Sequence, residues 1–173
     1  MKRNLTKLTK EQKQLLFSAI CELLHSKKPV KLRCRQDIVE NGRRTDRYNV
    51  ATLCGLIIKK EGVFVDVTDS KTIATASYPL EDVRPFLRPY SSMIGDEEDQ
   101  LMSASDFAHI ADNDIPYGEY KPVHVIQVFP SVRRLHAINW FVDHRIDCWG
   151  LIKENLAVEA PKGMYRYRGY VIK

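Results

Sequence analysis

The side chains in this sequence best suited to chemistry are its arginines and lysines, and the chemistry they suit is the holding of phosphate oxygens. Lys31, Arg33 and Arg35 stand at every second position, the spacing that sends side chains of an extended chain to one face. Arg43, Arg44 and Arg47 cluster just past Asn41-Gly42. Arg166 and Arg168 alternate with Tyr165 and Tyr167, with Tyr170 close behind; guanidinium groups interleaved with phenol rings can grip a phosphate and stack a base. These eight cations are the candidate nucleic-acid-binding residues, for DNA or RNA. The plainer alternative is a solvated strand face balanced by Asp37, Glu40 and Asp46, or one that pairs with acidic residues elsewhere in the chain.

The search for a catalytic site returns little. There is no Gly-rich phosphate loop, no Gly-x-Ser-x-Gly turn and no His-Glu-x-x-His helix. His25, His109, His124, His136 and His144 are scattered singly. His136 and Asp143 lie seven apart on one expected helix, but neither has the i,i+4 partner of a helical zinc site. Cys148 beside Asp147 and His144 has the residue types of a Cys–His nucleophile, yet neighbours in sequence seldom have the geometry. The expectation is a non-catalytic protein with no metal and no cofactor.

Charge is divided along the chain. Residues 1–90 carry 18 Lys+Arg against 10 Asp+Glu, residues 91–160 carry 5 against 12, and residues 161–173 carry 4 against none. A basic front half, an acidic middle and a short basic tail can bind a polyanion, or can attract one another. Asp96-Glu97-Glu98-Asp99 reads as a solvated helix start more readily than a metal site. The basic N-terminus has no apolar run behind it, and no stretch approaches the ~20 apolar residues of a membrane span. Four widely spaced cysteines (Cys21, Cys34, Cys54, Cys148) read as reduced core thiols. A cytoplasmic protein with no membrane association is expected.

The elements that must position these residues begin with a helix. Thr9 and Gln12 fit a capping box, and Leu15, Leu16, Ala19, Ile20, Leu23 and Leu24 form an apolar stripe until Pro29 stops the pattern. The period then shortens to two. Val30, Leu32 and Cys34 are expected inward and Lys31, Arg33 and Arg35 outward, with Asn41-Gly42 as the hairpin turn. The run 50–58 reads as a central strand buried on both faces, with a bend or bulge at Gly55. Strands at 63–67 and 72–78 complete an antiparallel meander, which can close into an SH3-like small barrel. The prolines of 79–89 leave room for one helical turn.

Beyond residue 90 the pattern is helix-rich: a weak helix over 101–111, turns over 113–120, and a strand over 124–129. A helix follows Pro130-Ser131 with Val132, Leu135, Ile138, Asn139 and Val142 on one face, and a shorter one covers 149–156. Trp140 and Trp149 read as core packing between these two helices. The end, 164–173, is a final strand or a loose tail. The fold class is α+β, with 1–90 as helix plus meander and 91–173 as an acidic part packed on it.

Three C-terminal strings carry a resemblance: Asp147-Cys148-Trp149-Gly150-Leu151-Ile152, Leu156-Ala157-Val158-Glu159-Ala160-Pro161 and Gly163-Met164-Tyr165. With Phe86–Met93 they resemble a family of proteins of gut Bacteroidetes and their phages or prophages, whose pattern runs Asp-Tyr-Arg-Gly-Leu-Ile, Leu-Ala-Leu-Glu-Ala-Pro, Gly-Met-Tyr. Cys148 and Trp149 stand where that family has Tyr-Arg. The resemblance covers about thirty residues, implies a mobile-element origin and supplies no catalytic residue. Two function classes follow: a nucleic-acid-binding module built on the basic strand face, and an adaptor or inhibitor that engages a host or phage protein through the acidic segment around Asp96–Asp99 or through exposed aromatics.

Overall fold

The computed structural model describes residues 8–40, 42–69, 72–93, 97, 100 and 131–165. Helix α1 (Lys10–Leu23) opens on the expected box: the Thr9 hydroxyl accepts the Gln12 N–H and the Gln12 side chain accepts the Thr9 N–H. Two of the N–H groups that a helix start leaves open are thereby satisfied. Leu16, Ala19, Ile20 and Leu23 are buried, and the helix ends at Leu23, well before Pro29.

Strands β1 (Lys31–Glu40), β2 (Arg43–Lys59), β3 (Gly62–Thr68) and β4 (Thr75–Pro79) form the antiparallel meander. The last rung of the first hairpin is Glu40↔Arg43, and Gly42 takes φ +74° in its turn, a left-handed conformation that glycine adopts without strain. The β2–β3 register shifts between Leu53 and Gly55, the expected bulge. β4 starts later than the sequence pattern because Ile73 has φ +57°, which interrupts extended backbone.

The proline-rich stretch holds more than one turn. A 3-10 turn at Leu80–Asp82 leads into β5 (Val83–Leu87), which pairs antiparallel with β1. Sequence reasoning missed this strand because Pro85 lies inside it. Pro85 sits opposite Leu32 at the end of the ladder, where a missing N–H costs least. Beside that rung the Tyr165 hydroxyl bridges the two strands, accepting the Lys31 N–H at 3.1 Å and donating to the Phe86 carbonyl at 2.9 Å.

A short β6 (Val158–Glu159) joins parallel to β5, giving the order β4-β3-β2-β1-β5-β6. β4 and β5 are linked by only three residues yet stand four strands apart. In a flat sheet they would be about 19 Å apart, at ~4.8 Å per strand. A 3-10 turn rises only about 2 Å per residue. The sheet therefore curls. Tyr78 of β4 accepts from Gln36 Nε2 of β1 at 2.6 Å and from Asn49 Nδ2 of β2 at 3.2 Å, contacts a flat sheet could not make. Among the described residues no ladder joins β4 to β5, so the described sheet is curled and shows no SH3-like closure.

Inside the curl lie Leu32, Cys34, Ala51, Val65, Val67, Tyr78, Leu80 and Val83, packed with the α1 stripe. Val142, Leu151 and Leu156 belong to the same core. Helix α2 (Ser131–His144) follows Pro130 as expected and buries Phe141 and Val142, while Asn139 is exposed and does not share their face. The helix expected over 149–156 is instead a series of turns. Asp147 organises them by accepting the N–H groups of Leu151 and Ile152, each at 2.8 Å. Burial pushes its carboxyl up, against the pull of these backbone donors. The elements expected over 101–111, 113–120 and 124–129, and all but the start of 164–173, lie outside the described residues. The protein is α+β.

Candidate nucleic-acid interface

Alternation on β1 decides which cations can act together. Leu32 and Cys34 are fully buried, while Lys31, Arg33 and Arg35 stand on the outer, convex face at partial exposure. The rungs of that face are Lys31↔Thr52, Arg33↔Val50, Arg35↔Tyr48, Asp37↔Asp46 and Val39↔Arg44. Arg44 therefore shares the face of Lys31, Arg33 and Arg35. Arg43 and Arg47 take the opposite face, on the rungs Glu40↔Arg43 and Gln36↔Arg47. The six cations of 31–47 do not make one cluster. Arg166 and Arg168 lie outside the described residues.

Several of these charges are already engaged. Arg35 forms an ion pair with Asp82 and lies 3.9 Å from Asp46. Partial burial disfavours its charge, but Asp82 and Asp46 outweigh that, so its pKa lies above the ordinary arginine value. Arg47 pairs with Glu40. Lys31 Nζ donates to Thr52 Oγ1 at 2.8 Å. Arg43 and Arg44 are exposed and form no ion pair among the described residues.

Arg33 and Arg84 differ from the rest. They are direct partners across β1 and β5, so two guanidinium-bearing residues share a rung. Arg84 escaped sequence reasoning because its strand did; the available signal was Val83 and Leu87 in phase with Pro85, which puts Arg84 on the opposite face. Arg84 donates to the carbonyls of Asn155 (3.0 Å), Glu81 (2.8 Å) and Val83 (2.7 Å). Burial lowers its pKa and the neighbouring Arg33 lowers it further, with Asp82 acting the other way. Arg33 lies over the Tyr48 ring, 4.9 Å from its centroid, and its Nε is buried without a hydrogen-bond partner. Neither arginine forms an ion pair among the described residues.

The same face exposes apolar surface. Tyr48 is 53% and Val50 47% exposed, which corrects the expectation that β2 is buried on both faces. β2 lies inside the sheet order, but only its inner side meets the core.

The remaining chemistry resolves into structure. Cys148 is fully buried, and burial with the adjacent Asp147 raises its thiol far above the ordinary value. His144 stacks on Trp140 at 3.9 Å and contacts the Trp140 carbonyl through Nδ1 at 2.8 Å, and burial lowers its pKa. Trp149 packs against the core, as expected for it. Asp143 accepts from the Lys27 N–H and the Ser26 hydroxyl, tying α2 to the turn after α1. Glu97 makes a double hydrogen bond with Arg88, both at 2.7 Å; the rest of the 96–99 run lies outside the described residues. Cys34 is buried as expected, but Cys54 is exposed and is not a core thiol.

Among the described residues no group of His, Cys, Asp and Glu is placed to hold a metal ion, and no helix is long and apolar enough to cross a membrane. No family model, curated protein or solved structure matches the chain.

Proposed function

We propose that this is a non-catalytic binding protein that contacts nucleic acid through the outer face of β1, β2 and β5, with the tip of the β1–β2 hairpin as a second contact. The observation that carries this reading is the Arg33↔Arg84 rung. Like charges directly opposite on a sheet are destabilising; with Arg84 Nε and Nη1 bonded to carbonyls, a phosphate between the two residues would relieve that repulsion through Arg84 Nη2 and the Arg33 guanidinium. The Arg33 Nε is buried, so contact with a phosphate falls to the terminal nitrogens of its partly exposed side chain. The adaptor reading drew on the Asp96–Asp99 run or on exposed aromatics; the one described residue of that run, Glu97, is buried in its pairing with Arg88, and the exposed Tyr48 ring stands among the cations of the basic face. A mobile-element origin, which rests on the C-terminal resemblance, and cytoplasmic action, which rests on the widely spaced cysteines read as reduced thiols, accompany the proposal.

The test is a binding titration of the whole chain with DNA and RNA over a range of salt. Phosphate contacts make log K fall steeply with log salt. Retention of either polymer that is lost with salt and weakened by Arg33→Gln supports the reading. No retention at low salt overturns it and returns the adaptor class to first place.

A further inference from the structure

We infer that the nucleic acid is single-stranded, with a phosphate held at the Arg33↔Arg84 rung and a base stacked on Tyr48; this rests on the nucleic-acid reading above. Tyr48 is 53% exposed in the body of a strand, beside Val50 at 47%. A duplex offers a protein surface its phosphates and sugars and keeps the faces of its bases stacked inside, so exposed apolar area gains nothing from it. A groove admits a helix or a narrow two-stranded ribbon. The broad convex face that carries Arg33, Arg84 and Tyr48 is neither; the only such ribbon among the described residues is the arm beyond Gln36, which holds none of the three. A single strand presents both a phosphate and an open base face, which is what arginines interleaved with aromatic rings hold.

The spacing fits one nucleotide. Arg33 and Arg84 are a direct cross-strand pair, and Arg33 is a diagonal neighbour of Tyr48, so the phosphate and base sites lie about 5–8 Å apart. Arg33 covers one side of the ring at 4.9 Å. That contact braces the phenol while leaving the exposed remainder for a base. The neighbouring outer-face groups are Lys31, bonded to Thr52, and Arg35, paired with Asp82.

The experiment compares short DNA and RNA strands with the matching duplex, by fluorescence anisotropy, on the parent chain, Tyr48→Ala, Tyr48→Phe and Arg33→Gln. Single strands should bind about tenfold tighter than the duplex. Tyr48→Ala should lose about five- to a hundredfold in affinity for them. Tyr48→Phe, which keeps the ring, should stay within about twofold, and both variants should melt as the parent does. Equal affinity for strand and duplex, together with a silent Tyr48→Ala, overturns the inference and leaves nucleic-acid binding through phosphates alone. No binding of strand or duplex removes both readings.

Discussion

Between Lys31 and Arg35 the β1–β2 hairpin has a core on one side; between Gln36 and Arg47 it is exposed on both, apart from half-buried Ile38. The same alternation of residue types means different things in the two halves. At the base, each odd-numbered cation is fixed by a neighbour: Lys31 by Thr52, Arg33 by the Tyr48 ring, Arg35 by Asp82. In the arm, Arg43 and Arg44 are exposed and form no ion pair among the described residues, and Val39 is 64% exposed beside them. Alternation sorts side chains into inside and outside only where a second layer exists. A charge at the base has a defined geometry, whereas a charge in the arm contributes mainly to the long-range field.

The largest test of this difference compares two aliphatic residues on the same face of β1. Leu32→Ala, at a fully buried site, should cost about 3 kcal/mol through lost transfer energy and a residual cavity. Ile38→Ala, in the arm, should cost under about 1 kcal/mol. Denaturant unfolding measures both. Equal losses would mean that the arm is as well packed as the base.

A smaller contrast separates the arginines. Arg35→Ala leaves Asp82, whose side chain is 19% exposed, without its ion-pair partner, and should cost about 1–2 kcal/mol. Arg44→Ala lies on the same face one half-hairpin away and should fall within about ±0.5 kcal/mol. A silent Arg35→Ala would show that the base cations are as loosely held as those in the arm.

The parts legible in the sequence are those governed by local rules. Thr9 with Gln12 places a helix start, Asn41-Gly42 places a turn, Gly55 places a bulge, and the 30–35 alternation places the core face. The parts that were not legible depend on partners distant in sequence. Pro85 argues against a strand until Tyr165, eighty residues later, supplies a hydroxyl beside the rung that lacks an N–H. The 149–156 stretch has helical spacing, but Asp147 draws its N–H groups into turns. The candidate site suffered twice. Arg84 was lost with its strand, and Arg43 and Arg47 were grouped with residues on the opposite face because clustering in sequence ignores the two-residue period.

The arm also offers a binding test with little effect on stability. Replacing Arg43, Arg44 and Arg47 with Ala should leave the melting temperature close to that of the parent, since all three are exposed. If each touches a phosphate of a single strand, the slope of log K against log salt should flatten by about 2 units, at ~0.7 per contact. Arg47 is paired with Glu40, so the expected change is nearer the two-contact value of about 1.4. A fall in melting temperature with unchanged affinity would mean that the arm holds the protein together instead.

The gentlest probe reads the curl without any substitution. Burial pushes the Cys34 thiol up to about 12, and its side chain belongs to the core that Leu32 and the α1 stripe share. Even at pH 9 roughly a thousandth of such a thiol is ionised, and the thiolate is the species that reacts. Cys148, fully buried, is more strongly protected. Cys54 is exposed at the bulge, and Cys21 on α1 is partly so, with burial and Glu22 raising its pKa. Iodoacetamide followed by mass spectrometry should therefore modify Cys54 first and Cys21 more slowly, and should reach Cys34 and Cys148 only in denaturant. Melting temperature and binding should not move after the first modification. If Cys34 were alkylated in native buffer as fast as Cys54, the inside of the curl would be open to solvent. The base of the hairpin would then be no different from its arm.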